Sequence, residues 1–104
     1  MSTAHLLVMY PQPQDPTTFD RRYREEHLPY AGPKLTGATG VATKRVVGPG
    51  FAPPPYHLMS DVSFPNVEAL KACAGSEGGQ QALAHAASIS SGGAPMLIVV
   101  ADEA

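Results

Sequence analysis

The chain has 104 residues, with 7 basic and 9 acidic side chains and a net charge of −2 when histidine is neutral. That length suits one domain over residues 1–104 and is short for two. The charge balance lacks the basic footprint that nucleic-acid or anionic-membrane binding needs, so neither partner is expected.

Hydrophobic residues make up 43% of the chain, enough to build a core, but no apolar run approaches the length of a membrane span. A domain of this size leaves roughly a third of its potential burial unmade, which favours pairing with a second copy. The N-terminus has no signal-peptide pattern and Cys73 is the only cysteine, so the expected location is the cytoplasm.

His5 to Tyr10 is an apolar run stopped by Pro11 and Pro13, and it reads as a strand buried on both faces. Asp15-Pro16 starts a helix, through a capping carboxylate followed by a ring suited to the first turn. That helix should run through Phe19, Tyr23 and His27 until Pro29 interrupts its ladder. Val41 to Val47 has strand character with one exposed face or edge, and the Gly/Pro-rich stretch Gly48 to Pro55 reads as a stiff loop.

Tyr56 to Phe64 alternates, with Tyr56, Leu58, Ser60, Val62 and Phe64 on one face and His57, Met59, Asp61 and Ser63 on the other. Asn66 caps a helix over Val67 to Ala74. Gly78-Gly79 weakens the next stretch, and Gln80 to Ile89 resumes helical spacing. Met96 to Ala101 is a last buried strand. The order predicts an α+β fold, a ferredoxin-like βαββαβ antiparallel sheet with helices on one face and the first and third strands central. Because the first strand is apolar on both faces and helices cover only one, sheet-to-sheet homodimerisation is the simplest cover for the other.

Phe19, Tyr23, His27 and Tyr30 fall at steps of four, four and three along one helical stripe. A histidine there is either a core side chain satisfied by hydrogen bonds or a functional group bordering a cavity at a disrupted helix end. In the second case a neutral imidazole among phenols suits proton transfer on a mostly apolar substrate. His57 points to a dimer face or solvent if Tyr56, Leu58 and Phe64 meet the helices, and shares a pocket with His27 if the parity is reversed. His85, beside Gln81 and Ser88, reads as a helix-surface residue, and His5 has no evident role. No metal is expected from four scattered histidines without a ligand-spaced motif, and Cys73 reads as a small packed side chain.

The blocks Tyr10-Pro11, Asp15-Pro16 and Phe19-Asp20-x-x-Tyr23-x-x-x-His27-x-Pro29 resemble the opening of EthD-like proteins, named for ethyl tert-butyl ether degradation. The similarity continues at Pro55-Tyr56-His57-Leu58, from Phe64 to Leu70, at Ser76-Glu77-Gly78-Gly79-Gln80 and in the closing strand. Leu35-Thr36-Gly37-Ala38 departs from it where relatives tend to have a proline-glycine-leucine turn. The resemblance implies a dimeric α+β barrel and transfers one functional residue, His27, while related barrels host many chemistries.

The expected function is therefore a cofactor-independent pocket protein for a small apolar or aromatic catabolic intermediate. It would act as an isomerase, dehydratase or cyclase through His27, with Tyr10 and Tyr23 bonding a carbonyl or enol oxygen. Phe19, Tyr30, His57 and Tyr56 are the expected substrate-binding residues. The alternatives are a non-catalytic accessory protein to an oxidoreductase and a haem-binding barrel.

Overall fold

Strand β1, Ala4–Pro11, alternates between two neighbourhoods. Ala4, Leu6, Val8 and Tyr10 are buried beneath the helices, while His5, Leu7 and Met9 are half-buried on the opposite face. Its hydrogen bonds run antiparallel to β3, Tyr56–Phe64, on one side and to β4, Met96–Ala101, on the other. With β2, Gly40–Arg45, paired to β3, the sheet order is β2-β3-β1-β4. The first and third strands are central, as expected for the ferredoxin-like order. The computed structural model describes residues 3–50 and 54–103. Of the loop expected over Gly48 to Pro55, residues 51–53 lie outside that description, and the rest has no regular structure.

The first helical stretch begins as expected. Asp15 caps helix α1, Pro16–Arg22, by accepting from the Thr18 N–H at 3.3 Å. It does not stop at Pro29. Tyr23–His27 form a π-helical turn, closed by the Leu28 N–H donating to the Tyr23 carbonyl five residues back. Helix α2, Leu28–Ala31, and a 3₁₀ turn, Gly32–Lys34, come next. The wider turn shifts the hydrogen-bond register, so Pro29 falls in the first turn of a new α segment, where proline is tolerated.

The same turn decides which side chains face the sheet. Four residues of α-helix overshoot one revolution by about 40°, and a π turn removes that drift once. Phe19, Tyr23, His27 and Ala31 are all buried in steps of four, whereas Tyr30 is displaced outward and 41% exposed.

Helix α3 spans Val67–Gly75, with Asn66 accepting from the Ala69 N–H at 2.8 Å. Helix α4 spans Glu77–Ile89, starting three residues before the expected Gln80. Gly78-Gly79 do not weaken it. Ser76 caps it, accepting from the Gly79 N–H at 3.0 Å, and a Cβ on Gly79 would lie 1.9 Å from the Cys73 carbonyl oxygen. Glycine is what lets the two helices turn so tightly.

Beneath these helices, Tyr10, Tyr23, Leu58, Phe64 and Leu70 are fully buried. Tyr10 meets Phe19 and Tyr23 edge-on, with centroids 5.0 and 5.8 Å apart.

Among the described residues, no helix covers the opposite sheet face. Leu7, Met9, Met59, Met96, Ile98 and Val100 form an apolar band on it, judged by strand register. At one end of the band His5 Nδ1 contacts Asp61 at 2.8 Å and His5 Nε2 contacts Asp102 at 3.1 Å. Lys44 reaches the same Asp61 at 3.4 Å. The hydrogen bonds to Asp61 and Asp102 raise the His5 pKa above its usual value. Among the described residues, no helix is long and apolar enough to cross a membrane.

Candidate functional site

A cavity of about 300 Å³ lies between the sheet and the helices. Leu6 and Val8 of β1, Val41 and Thr43 of β2, and Ser60 and Val62 of β3 form its floor. His27, Leu28, Ala31, Gly32 and Leu35 form one wall, with Ala82 and Leu83 of α4 opposite. The lining reaches the surface at Val41, which is 46% exposed. The polar side chains of this lining are His27, Thr43 and Ser60, and none bears a permanent charge. Such a space sits at the low end of the roughly 300–1,000 Å³ typical of small-molecule sites.

The π turn positions His27, which is 7% exposed. Its Nδ1 is 2.9 Å from Nδ1 of His85, and its Nε2 is 3.5 Å from the Tyr10 hydroxyl. Burial pushes the His27 pKa down to about 4, with the neighbouring His85 adding to the effect. At neutral pH it is therefore an uncharged imidazole. Burial also holds the Tyr10 phenol well above its usual range, with the Tyr23 hydroxyl contributing, so Tyr10 keeps its proton.

Neither Tyr10 nor Tyr23 lines the cavity; they back it from the core, 0% and 1% exposed. The Tyr23 hydroxyl lies 2.6 Å from Ser60 Oγ and 2.8 Å from Thr43 Oγ1. With one hydrogen to give, it can donate to one of these hydroxyls and accept from the other. Ser60 and Thr43 are thus the hydroxyls that face the space, held in place by Tyr23. Of the other expected binding residues, Phe19 is core, and the Tyr30 ring lies outside against His85, with centroids 4.7 Å apart and Lys34 Nζ 4.6 Å from the Tyr30 centroid.

A β-bulge relocates His57 and Tyr56. Tyr10 pairs with Leu58 but Pro11 pairs with Tyr56, so His57 is the extra residue. His57 and Leu58 both turn toward the helices, while Tyr56 turns to the open face and donates its hydroxyl hydrogen to Met96 Sδ at 3.4 Å. Strict alternation, which put Tyr56 with Leu58 and His57 opposite, fails at this one residue. His57 does not join His27. Its Nε2 lies 2.8 Å from Asp20 and 3.0 Å from Arg45, and its ring meets Phe19 edge-on. That nitrogen serves one partner at a time, donating to Asp20 when protonated and accepting from Arg45 when not. Burial opposes charge on Asp20, but the His57 bond and the Arg45 guanidinium together hold its carboxyl below the usual range.

Sequence reasoning missed His85, Ser60 and Thr43 as parts of the site. His85 stands three residues after Ala82 and four before Ile89, both buried, so helical spacing already placed it on the flank of the inward stripe. Ser60 interrupts the apolar series Leu58, Val62 and Phe64, which was its signal. Among the described residues there is no group of three potential metal ligands.

A family model described as the EthD domain matches residues 11–89. No curated protein matches the chain. Among solved structures, an ethyl tert-butyl ether d (EthD) family protein from Bacillus halodurans is similar with a TM-score of 0.80 at 23% identity, over 100% of both chains. An EthD-like protein from Ralstonia eutropha has a TM-score of 0.73 at 19% identity, over 96% of this chain and 91% of its own. A dimeric ferredoxin-like protein of unknown function from Jannaschia has a TM-score of 0.65 at 22% identity, over 100% of both chains. At these identities the similarity speaks to the fold, not to chemistry.

Proposed function

The chain belongs to the EthD domain family, and from that premise we propose that it binds a small, uncharged, apolar or aromatic intermediate of catabolic metabolism and moves a proton on it. The observation behind this reading is the placement of His27, a buried neutral imidazole in the wall of an otherwise uncharged cavity. Among the described residues its Nε2 has a single, long contact, to Tyr10, which a ligand oxygen or acidic C–H can replace. Ser60 and Thr43 would hold a carbonyl or phenol oxygen on the opposite side, with Tyr23 fixing both. Isomerisation, dehydration and cyclisation all fit, because each needs only proton movement, and one positioned base typically supplies about 10²–10⁴-fold acceleration. A carrier role without turnover is the second reading. The low basicity of His27 taken alone favours it.

The working unit in this reading is a homodimer in the cytoplasm, joined through the open sheet faces. The apolar band of Leu7, Met9, Met59 and Ile98 supports that surface, as does the description of the similar Jannaschia protein as dimeric.

The test is a titration of the full chain with 4-nitrophenol, read by absorbance. Saturable binding of one molecule per protomer is expected, weakened at least about 10-fold by Val41→Trp, which adds an indole to the exposed part of the lining. Val41 is exposed, so this substitution should move stability by no more than about 0.5 kcal/mol. Absence of saturable binding, or equal binding by the variant, contradicts the proposal.

A further inference from the structure

We propose that His85 is a proton-accepting positioning residue for His27, so that the pair, rather than His27 alone, takes up a proton from the bound molecule. The inference rests on the reading of the cavity as a proton-transfer site and adds a residue to it.

The geometry is specific. The Nδ1 atoms are 2.9 Å apart, the ring planes differ by 6°, and the centroids are 5.2 Å apart. That centroid separation is the nitrogen–nitrogen distance plus one ring radius at each end, so the rings meet edge to edge in one plane. A contact of this kind holds one hydrogen, given by one ring and accepted by the other. A neutral pair therefore has two arrangements. In the first, His27 holds the bridging hydrogen and presents a bare Nε2. In the second, His85 holds it and His27 presents an Nε2–H. Proton movement along the bridge converts one type of site into the other.

In the forward step a C–H or O–H bond of the ligand breaks and its electron pair stays behind as an enolate or phenolate. The proton bonds to Nε2 of His27, the bridging hydrogen passes to Nδ1 of His85, and the positive charge resides on His85. The reverse sequence returns a proton to another atom of the ligand. His27 is enclosed, whereas His85 is half-buried and lies against the Tyr30 ring, a face that attracts a cation. The other titratable groups facing the pair are Tyr10 of β1, Tyr23 of the π turn and, across Tyr30, Lys34 of the 3₁₀ turn. Burial alone makes His27 a weak base, and the bridge removes the need for it to hold the charge.

The test is ¹⁵N NMR of the histidine-labelled full chain without any ligand, so its result is independent of 4-nitrophenol binding. On acidification, the first proton should appear as an imidazolium at His85 while His27 switches to its Nε2–H tautomer in the same transition, as coupled groups do. In His85→Asn, whose amide still partners Nδ1 of His27 but cannot accept a proton, His27 should pass through that range unchanged and titrate alone, at least about one pH unit lower. A merely structural His85 would leave the His27 tautomer fixed. Wild-type spectra in which that tautomer stays constant while His85 titrates, or in which His27 becomes the imidazolium first, overturn the proposal even if the variant does not fold.

Discussion

Between pH 7 and pH 4 the wild-type protein should lose roughly 3 kcal/mol more unfolding free energy than His27→Asn does. In the unfolded chain this histidine takes a proton near 6.5, whereas in the fold burial, assisted by His85, lowers that point to about 4. Between the two values the unfolded state binds more protons, so stability falls as the pH falls. The contribution is fully present above 6.5 and is lost on the way down to about 4. The gap of 2.5 units corresponds to roughly 3 kcal/mol at about 1.36 kcal/mol per unit. His5 acts in the opposite sense. Its raised pKa adds stability below 6.5 that is lost as pH rises through the folded value. Urea unfolding of both proteins at several pH values separates the two, because the variant retains His5. Parallel pH profiles would mean that His27 is not held neutral by its surroundings.

The second large effect concerns the open sheet face. Ile98→Arg should weaken the proposed homodimer by more than about 100-fold, equivalent to about 2.7 kcal/mol, while leaving a folded protomer. Ile98 lies opposite Leu7 in the β1–β4 register, within the apolar band, and points away from the helices. A guanidinium buried there against a second apolar sheet would have no partner, which is among the costliest changes an interface can suffer. The nearest acid on that face, Asp61, is already engaged by His5 and Lys44. Sedimentation at micromolar concentration reads the result directly. A variant that remains dimeric would place the interface elsewhere, and a monomeric wild-type protein would remove it.

The strands were the most legible part of this fold. Right-handed crossovers put β1 and β3 at the centre, and the doubly apolar His5 to Tyr10 agreed, whereas Met96–Ala101, expected to be buried, is an edge strand exposed at all but Ile98. The helix caps at Asp15 and Asn66 were equally plain, since each depends on one side-chain acceptor and one free N–H.

Three features escaped, each for a physical reason. The π turn has no composition of its own. It resolves a conflict between Pro29 and an inward stripe continuing past it, and only the folded backbone shows that Ala31, not Tyr30, takes the inner position. The bulge at His57 changes parity by one residue, which no periodicity can reveal. His85 was weighed against its neighbours Gln81 and Ser88, although its partner lies 58 residues away in the chain. The inward placement of His27, by contrast, was readable, because a histidine in an aromatic stripe lies on the buried side of its helix.

Where a bound molecule sits decides the matter most directly. Nuclear Overhauser contacts in the full chain with 4-nitrophenol should join the ring protons of the ligand to Leu28 and Val62, accompanied by a change in the ¹⁵N shift of His27 Nε2. Contacts confined to the open sheet face, with the His27 signals unmoved at saturation, would contradict the account.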